Sequence, residues 1–228
     1  MIKTNKKAFP IILIVAFSSF MVAFIDRNIT ASYFIKSIVK ILLFFMIPMV
    51  YFMLNKTDSI WIKKLFIPNR KDFKHSLILG FICYLIITVA YYLLRNRIDF
   101  EVIRNSLTEL MGVNADNFIV ISLYIAFINS LLEEFFFRGF AFIILKTKIK
   151  PWFAFIFSAL SFSLYHVGMM EKWFNPIMYI LVITSLFICG CIFNYLNYKK
   201  DNIYTSWLIH MFANFAINSI GFFVFEII

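Results

Sequence analysis

Apolar residues along this chain are grouped in long blocks separated by short polar connectors. A membrane-spanning helix needs about 20 predominantly apolar residues, within a range of about 17–25. Seven blocks come close to this length or exceed it: Ala8–Ile25, Ile38–Leu54, Ser76–Leu94, Phe118–Leu145, Trp152–Val167, Ile177–Leu196 and Ile203–Phe225. The pattern predicts an all-α, polytopic bundle of about seven transmembrane helices, within roughly six to eight.

Composition supports this interpretation, because 62% of the 228 residues are hydrophobic, against about 45–50% in soluble domains. The net charge of +10 could suggest a nucleic-acid partner, but the cations lie mainly in connectors. If the helices alternate, one side holds Lys3, Lys6, Lys7, Lys56, Lys63, Lys64, Arg70, Lys71, Lys74, Lys146, Lys148, Lys150, Lys199 and Lys200. The other side holds Arg27, Lys36, Arg95, Arg97, Arg104 and Lys172. The positive-inside rule then predicts a cytoplasmic N-terminus. Cations at the ends of the spans also indicate membrane lipids, and no nucleic acid, as partners.

The chain is predicted to form one membrane domain, in which residues 1–117 supply the first helices and residues 118–228 carry the chemistry. The first block lacks a small-residue cleavage site, which indicates an uncleaved helix. The connector Asn55–His75 contains Ile-Pro-Asn-Arg, typical of a turn. Apolar residues then recur at helical spacing among charged neighbours. They predict a short amphipathic helix, at the membrane interface or packed on the bundle: Phe100, Ile103, Leu107 and Leu110.

Ionisable residues stand inside three of the apolar blocks. Glu133 and Glu134 are the acidic residues deep in a span, Arg138 is taken as the only basic one, and His166 and His210 are embedded histidines. Burying such groups in a membrane costs about 2.5–3.5 kcal/mol each on insertion scales, so they mark function by default. Counted at about 1.5 Å per residue, four polar residues fall in the middle band of a core about 30 Å thick: Glu134, His166, His210 and Asn214. They can therefore meet in one site.

Spacing along each helix suggests separate roles. Glu134 and Arg138 are four residues apart with the acid first, the favourable order for a helical ion pair. Glu133 points about 100° away and has no cation at i+4, so burial is expected to raise its pKa towards the range of a general base. His210 and Asn214 share one face and can both direct donors at one atom, as an oxyanion hole requires.

Three motifs, in this order and on separate helices, resemble those of the CAAX prenyl protease and bacteriocin-processing family of intramembrane proteases, also called Abi or type II CAAX endopeptidase-like. They are Glu133-Glu134-x-x-x-Arg138, Phe162-x-x-x-His166 and His210-x-x-x-Asn214. The helices before residue 118 match nothing specific. The resemblance implies an intramembrane endopeptidase that acts on a peptide or membrane-protein substrate.

The resemblance also implies a role for each motif residue. Glu133 and His166 hold and activate a water molecule, while His210 and Asn214 form the oxyanion hole. The remaining motif residues are expected to support the site: Glu134, Arg138 and Phe162. These roles agree with the spacing argument and need no cofactor.

Other polar and aromatic residues receive structural interpretations. Asn129 and Asn218 are expected to hydrogen-bond between helices, and Phe162 and Tyr165 to pack in the core. The cysteines all lie in apolar blocks and predict no disulfide framework: Cys83, Cys189 and Cys191.

Three alternatives remain open. A zinc-dependent protease could use Glu133, His166 and His210 as ligands, although the sequence has no H-E-x-x-H. A transporter or channel could have a polar site at the midplane, but neither an inverted repeat nor a Gly/Pro-broken helix supports it. A non-proteolytic immunity or scaffolding protein is disfavoured by the complete motif set.

The sequence leaves the substrate open. The resemblance is compatible with prenylated tails, with peptide processing and with bacteriocin self-immunity. Richness in Ile, Phe, Lys and Asn is typical of an AT-rich genome. We therefore expect a multi-pass protein of a bacterial plasma membrane.

Overall fold

The computed structural model describes residues 7–67 and 70–228. The described part is 86% helical and contains no strands. Its helices are α1 (Ala8–Asn28), α2 (Tyr33–Leu54), α3 (Lys56–Leu65), α4 (Arg70–Leu94), α5 (Phe100–Met111), α6 (Ala115–Thr147), α7 (Pro151–Tyr165), α8 (Val167–Met170), α9 (Pro176–Tyr198) and α10 (Tyr204–Val224). Seven helical segments of these residues are long and apolar enough to cross a membrane, with α7 and α8 forming one of them. The predicted fold class is therefore confirmed.

Helix α2 begins at Tyr33, earlier than the apolar block that starts at Ile38. The Ser32 hydroxyl accepts a hydrogen bond from the backbone N–H of Ile35 and so caps the helix. Lys36, which the sequence places in a connector, consequently lies inside α2 and is buried. Its ammonium contacts the end of α1, 3.3 Å from the backbone oxygen of Asp26.

Helix α6 is the centre of the bundle. It packs against α1, α2, α7, α9 and α10, and every residue of Glu134–Ile144 is buried. The segments Ile125–Asn129 and Glu134–Ile144 are π-helical, a wider winding that is frequent at functional sites. Aromatic rings stack in this core, as between Phe44 of α2 and Phe136 of α6, whose ring centroids are 4.1 Å apart. The part of α6 from Glu134 to Ile144 is therefore shielded by protein.

The connectors contain two further helices. The predicted amphipathic helix is present as α5, and its Leu107, Leu110 and Met111 pack against Phe118 and Phe225 on the bundle. Helix α3 lies in the connector that was expected to be polar and turn-like. Part of that predicted turn, Pro68 and Asn69, lies outside the described residues, as do Lys3 and Lys6 among the predicted cytoplasmic cations.

Ion pairs join the connectors that follow α2, α6 and α9. Asp201 accepts bonds from Lys64 at 2.9 Å and from Lys146 at 2.7 Å, and Lys148 lies 2.6 Å from Asp58. Burial by itself would raise the pKa of Asp201, but the hydrogen bonds from Lys146 and Lys64 outweigh it and lower the pKa below its ordinary value. The two links of Asp201 are thus present at neutral pH and are lost as the pH falls through the lowered pKa of this residue. They place the three connectors on one side, as alternation of the spans requires.

This arrangement predicts the sidedness of the connectors. Reporters fused after Lys148 and Lys200 should report the cytoplasm, and one fused after Lys172 should report the opposite side. Protease protection and cysteine labelling of the fusions provide the measurement. A reporter after Lys172 on the same side as Lys148 would contradict the alternation, whereas complete reversal of all three would contradict only the cytoplasmic N-terminus.

Candidate active site

Glu133 has two carboxylate oxygens in different environments. Its side chain is 2% exposed. Oε1 accepts hydrogen bonds from the Asn129 amide at 2.6 Å and from the Lys40 ammonium at 3.1 Å. Oε2 lies 3.7 Å from Nε2 of His210, which is longer than a hydrogen bond. One oxygen is therefore held by two donors, and the other faces the histidine.

Lys40 corrects the view that Arg138 is the only basic residue deep in a span. It lies in α2, and its side chain is 16% exposed. Its ammonium bridges Oε1 of Glu133 and the side-chain oxygen of Asn129, the latter at 3.0 Å. Glu133 was expected to lack a cation because none follows it at i+4. The cation instead comes from another helix, a contact that spacing within α6 cannot show.

The predicted contact between Glu134 and Arg138 is present, and two aromatic rings also contact the guanidinium of Arg138. Both side chains are fully buried, and the nearest guanidinium nitrogen lies 3.4 Å from Oε1 of Glu134. The Arg138 nitrogens make no hydrogen bond within the described residues. The guanidinium instead lies 4.0 Å from the ring centre of Phe162 and 4.9 Å from that of Phe193. Cation–π attraction thus supplements the ion pair, and Phe162 supports Arg138.

His210 bridges the two adjacent glutamates. Its Nδ1 lies 2.9 Å from Oε1 of Glu134, and its Nε2 faces Glu133. A carboxylate can only accept a hydrogen bond, so with Glu134 ionised beside Arg138 the proton of the ring lies on Nδ1. Nε2 is then an acceptor in the neutral ring and a donor only in the imidazolium.

His166 follows the last residue of α7, where the chain turns into α8. Its Nδ1 lies 2.8 Å from the backbone oxygen of Phe162. Because a carbonyl oxygen only accepts, Nδ1 carries the proton and Nε2 is free to accept one. The ring centroid of His166 lies 3.9 Å from that of Tyr165. The edge-on ring of Phe162 contacts both histidines, with centroids 5.1 Å from His166 and 5.9 Å from His210.

Asn214 lies one turn after His210 on α10 and is buried. Its amide donates to the backbone oxygen of Ile125 at 3.1 Å, at the start of a π-helical turn of α6. A side-chain amide has two N–H groups, so one donor remains. The structure therefore gathers six predicted residues closely and places Asn214 at the edge of the same cluster.

Three residues near Glu133 were not assigned to the site from the sequence. Asn129 was read as an interhelical bond, but it is four residues before Glu133 and shares its face, a signal that the spacing contained. Lys40 is a single cation in an apolar block, which also marks function. The ring of Tyr165 lies 5.0 Å from the Lys40 ammonium, a contact between α7 and α2 that spacing within one helix cannot indicate.

The arrangement of possible metal ligands can be compared with the zinc alternative. Over residues 7–67 and 70–228, no group of three or more His, Cys, Asp or Glu side chains is placed to hold one metal ion. Nδ1 of His210 is engaged by Glu134, which leaves Nε2 as the ring nitrogen that could bind a metal, with Glu134 as the carboxylate behind it. Chelation experiments are the appropriate test of the zinc alternative.

A family model described as type II CAAX prenyl endopeptidase, Rce1-like, matches residues 115–216 of the chain. This range contains all seven residues of the three motifs, and the match confirms the resemblance drawn from them. The family suggests a membrane endopeptidase of the CAAX type and hence an intramembrane protease. No curated protein and no solved structure matches the chain.

Arg138→Ala should reduce stability strongly, because it leaves Glu134 buried beside a histidine without its permanent cation. Breaking a buried pair from one side costs about 3–5 kcal/mol. The double change Glu134→Gln, Arg138→Met should recover part of the loss, and Arg138→Lys should be intermediate because an ammonium lacks the planar face that stacks on Phe162. Thermal melting of purified protein in detergent measures this, and wild-type melting of Arg138→Ala would refute the ion pair.

Proposed function

We propose, from the Rce1-like match of residues 115–216, that this chain is an intramembrane endopeptidase in which Glu133 activates the attacking water. The observation that carries the proposal is the different environment of two adjacent carboxylates. Glu134 is neutralised by Arg138 and bound to His210. Glu133 holds one oxygen in fixed hydrogen bonds and directs the other towards His210. A buried carboxylate with one oxygen left for the reaction suits a general base.

The first step is attack by water on the carbonyl carbon of the scissile peptide bond. Oε2 of Glu133 takes one proton from the water, and Nε2 of His166 accepts a hydrogen bond from the other. The resulting hydroxide oxygen forms a bond to the carbonyl carbon, and the carbonyl electrons move to the oxygen. The product is a tetrahedral oxyanion, as in other acyl transfers to water.

His210 and Asn214 then stabilise the oxyanion. Asn214 supplies the N–H that does not bond Ile125. His210 can supply Nε2–H only as the imidazolium, since its Nδ1–H is committed to Glu134. Nε2 of His210 lies 3.7 Å from Oε2 of Glu133, so the proton that Glu133 removes from water reaches it once the two side chains approach or through a bridging water. The donor then forms as the negative charge develops.

Collapse of the intermediate completes the reaction. The carbon–nitrogen bond breaks, and the leaving nitrogen takes up the proton that was removed from the water. The products are a carboxylic acid and an amine, and Glu133 returns to its ionised form. The residues of the chain supply every proton transfer in this scheme, so we propose that no cofactor takes part.

The substrate we propose is a peptide or the tail of a membrane protein at a bacterial plasma membrane. Peptide processing or bacteriocin self-immunity would provide the biological role. The membrane-bound and secreted peptides of cells carrying the wild-type protein should be compared with those of cells carrying Glu133→Ala. A peptide that stays uncleaved only in the mutant identifies the substrate, and identical peptide sets would count against proteolysis.

Glu133→Gln and His166→Ala should each abolish cleavage while the protein remains inserted and folded. Both residues act on the same water, so the double mutant should lose little more than either single mutant. Cleavage of the identified peptide and thermal melting provide the two measurements. Cleavage by Glu133→Gln within about tenfold of wild type would refute the general base, whose contribution is about 10²–10⁴-fold.

Asn214 separates the metal-free mechanism from the zinc alternative. Asn214→Ala should lower kcat by about 10²–10³ with little change in KM, the loss typical of one oxyanion donor. His210→Ala should give a similar or larger loss because it also removes the partner of Glu134. Strong chelators should leave purified wild-type protein active. One zinc per chain, lost in His166→Ala and His210→Ala but kept in Asn214→Ala, would replace the metal-free mechanism.

A further inference from the structure

Two lysines occupy the same face of α2, one turn apart, and each has a different carboxylate partner. Lys36 contacts Asp26, with its ammonium 3.3 Å from the backbone oxygen and 3.8 Å from the side-chain oxygen. Lys40 contacts Glu133 at 3.1 Å. The pair of Lys36 and Asp26 joins the end of α1 to the beginning of α2. The pair of Lys40 and Glu133 lies at the carboxylate that is proposed to activate water.

The surroundings of Lys40 fix the position of its ammonium. Two of its three N–H groups are used by Glu133 and by the side-chain oxygen of Asn129. The ammonium also lies 5.0 Å from the ring centre of Tyr165 and 6.0 Å from that of Phe44. Two aromatic rings and two oxygen acceptors therefore hold the ammonium of Lys40 against one oxygen of Glu133.

This contact matters for a buried general base. A carboxylate placed in an apolar core without a cation takes up a proton, and a protonated acid cannot remove a proton from water. An opposite charge within about 4 Å favours the ionised form. Arg138 cannot serve Glu133, because it is directed to Glu134 on the adjacent face. His210 and His166 carry no permanent charge, which leaves Lys40 as the fixed cation beside Glu133.

We propose that Lys40 is a positioning residue of the active site: with Asn129 it clamps Oε1 of Glu133, keeps the carboxylate ionised, and leaves Oε2 to accept the proton from water. The inference rests on the proposed role of Glu133. It assigns to α2, which precedes the family-matched segment, a part in catalysis that acts through Glu133. It also distinguishes the two carboxylate oxygens by function.

Infrared difference spectroscopy tests the charge of Glu133 without any substrate. Spectra of purified protein in detergent should be recorded for wild type, Lys40→Met, and Lys40→Met combined with Glu133→Gln. A protonated-carboxyl band should appear in Lys40→Met, and its Glu133 component should vanish in the double mutant, which removes that carboxyl. Any component from Asp26, which Lys40 also faces, should remain. Lys36→Met is the matched control, since its partner is Asp26 and any band it creates should survive Glu133→Gln. No Glu133-dependent band in Lys40→Met would overturn the proposal.

Kinetics with the peptide identified from the Glu133→Ala comparison supply the second test. Lys40→Met should lower kcat by about 10²–10⁴-fold, the contribution of a general base, with KM nearly unchanged. Lys40→Arg should recover part of the activity, and Lys36→Met should retain wild-type kcat. Lys40→Met with wild-type kcat would overturn the proposal while leaving the protease intact. If the wild-type protein cleaves no peptide but Lys40→Met still shows the Glu133-dependent infrared band, the proposed function is contradicted and the role of Lys40 beside Glu133 is not.

If Lys40→Met does not fold, the clamp can be tested through Asn129, the other residue that holds Oε1 of Glu133. Asn129→Ala removes the shorter bond to Oε1 without removing a charge, so it should insert and fold, with a lower melting temperature than wild type. Its kcat should fall with KM unchanged, because Oε1 loses one of its two donors and the carboxylate of Glu133 is no longer held in one orientation. Wild-type kcat in a folded Asn129→Ala protein would overturn the clamp.

Discussion

The need to neutralise two adjacent carboxylates inside an apolar bundle governs the rest of this structure. Neighbouring residues on a helix point about 100° apart, so Glu133 and Glu134 face different partners. Glu134 is served by Arg138 on its own helix, and Glu133 by Lys40 of α2. His210 of α10 contacts both sides. Because an unpaired charge in such a core is far more costly than a paired one, these contacts fix how α2, α6 and α10 pack.

The aromatic core makes those contacts stronger. Phe162 and Phe193 cover the guanidinium of Arg138, and Phe44 stacks on Phe136 beside the lysine-bearing face of α2. Such rings exclude water, and electrostatic interactions are stronger where the dielectric constant is low. The rings also offer their negative faces to cations that lack enough hydrogen-bond acceptors. This explains how Arg138 is tolerated while its nitrogens make no hydrogen bond in the described part of the chain.

Local patterns in the sequence predicted much of the architecture and the motif residues, because both depend on spacing within one helix. Block lengths predicted the seven spans, and i, i+4 pairs predicted the Glu134–Arg138 contact. Contacts between distant segments had no such signal: Lys40 reaches Glu133 across 93 positions. The early start of α2 depended on a Ser32 cap in a polar stretch. Hydrophobicity could not show either feature, since both are properties of single polar side chains.

Charge balance connects this packing to the proposed chemistry. Two carboxylates and two permanent cations give a site with no net charge when both histidines are neutral. Removal of a proton from water by Glu133 creates one negative charge, on the oxyanion, and retains the proton inside the site. His210 contacts Glu134 through Nδ1 and faces Glu133 through Nε2, so it can hold that proton beside an ionised carboxylate at either stage. The shared histidine therefore lets the structural ion pair of Glu134 support the catalytic role of Glu133.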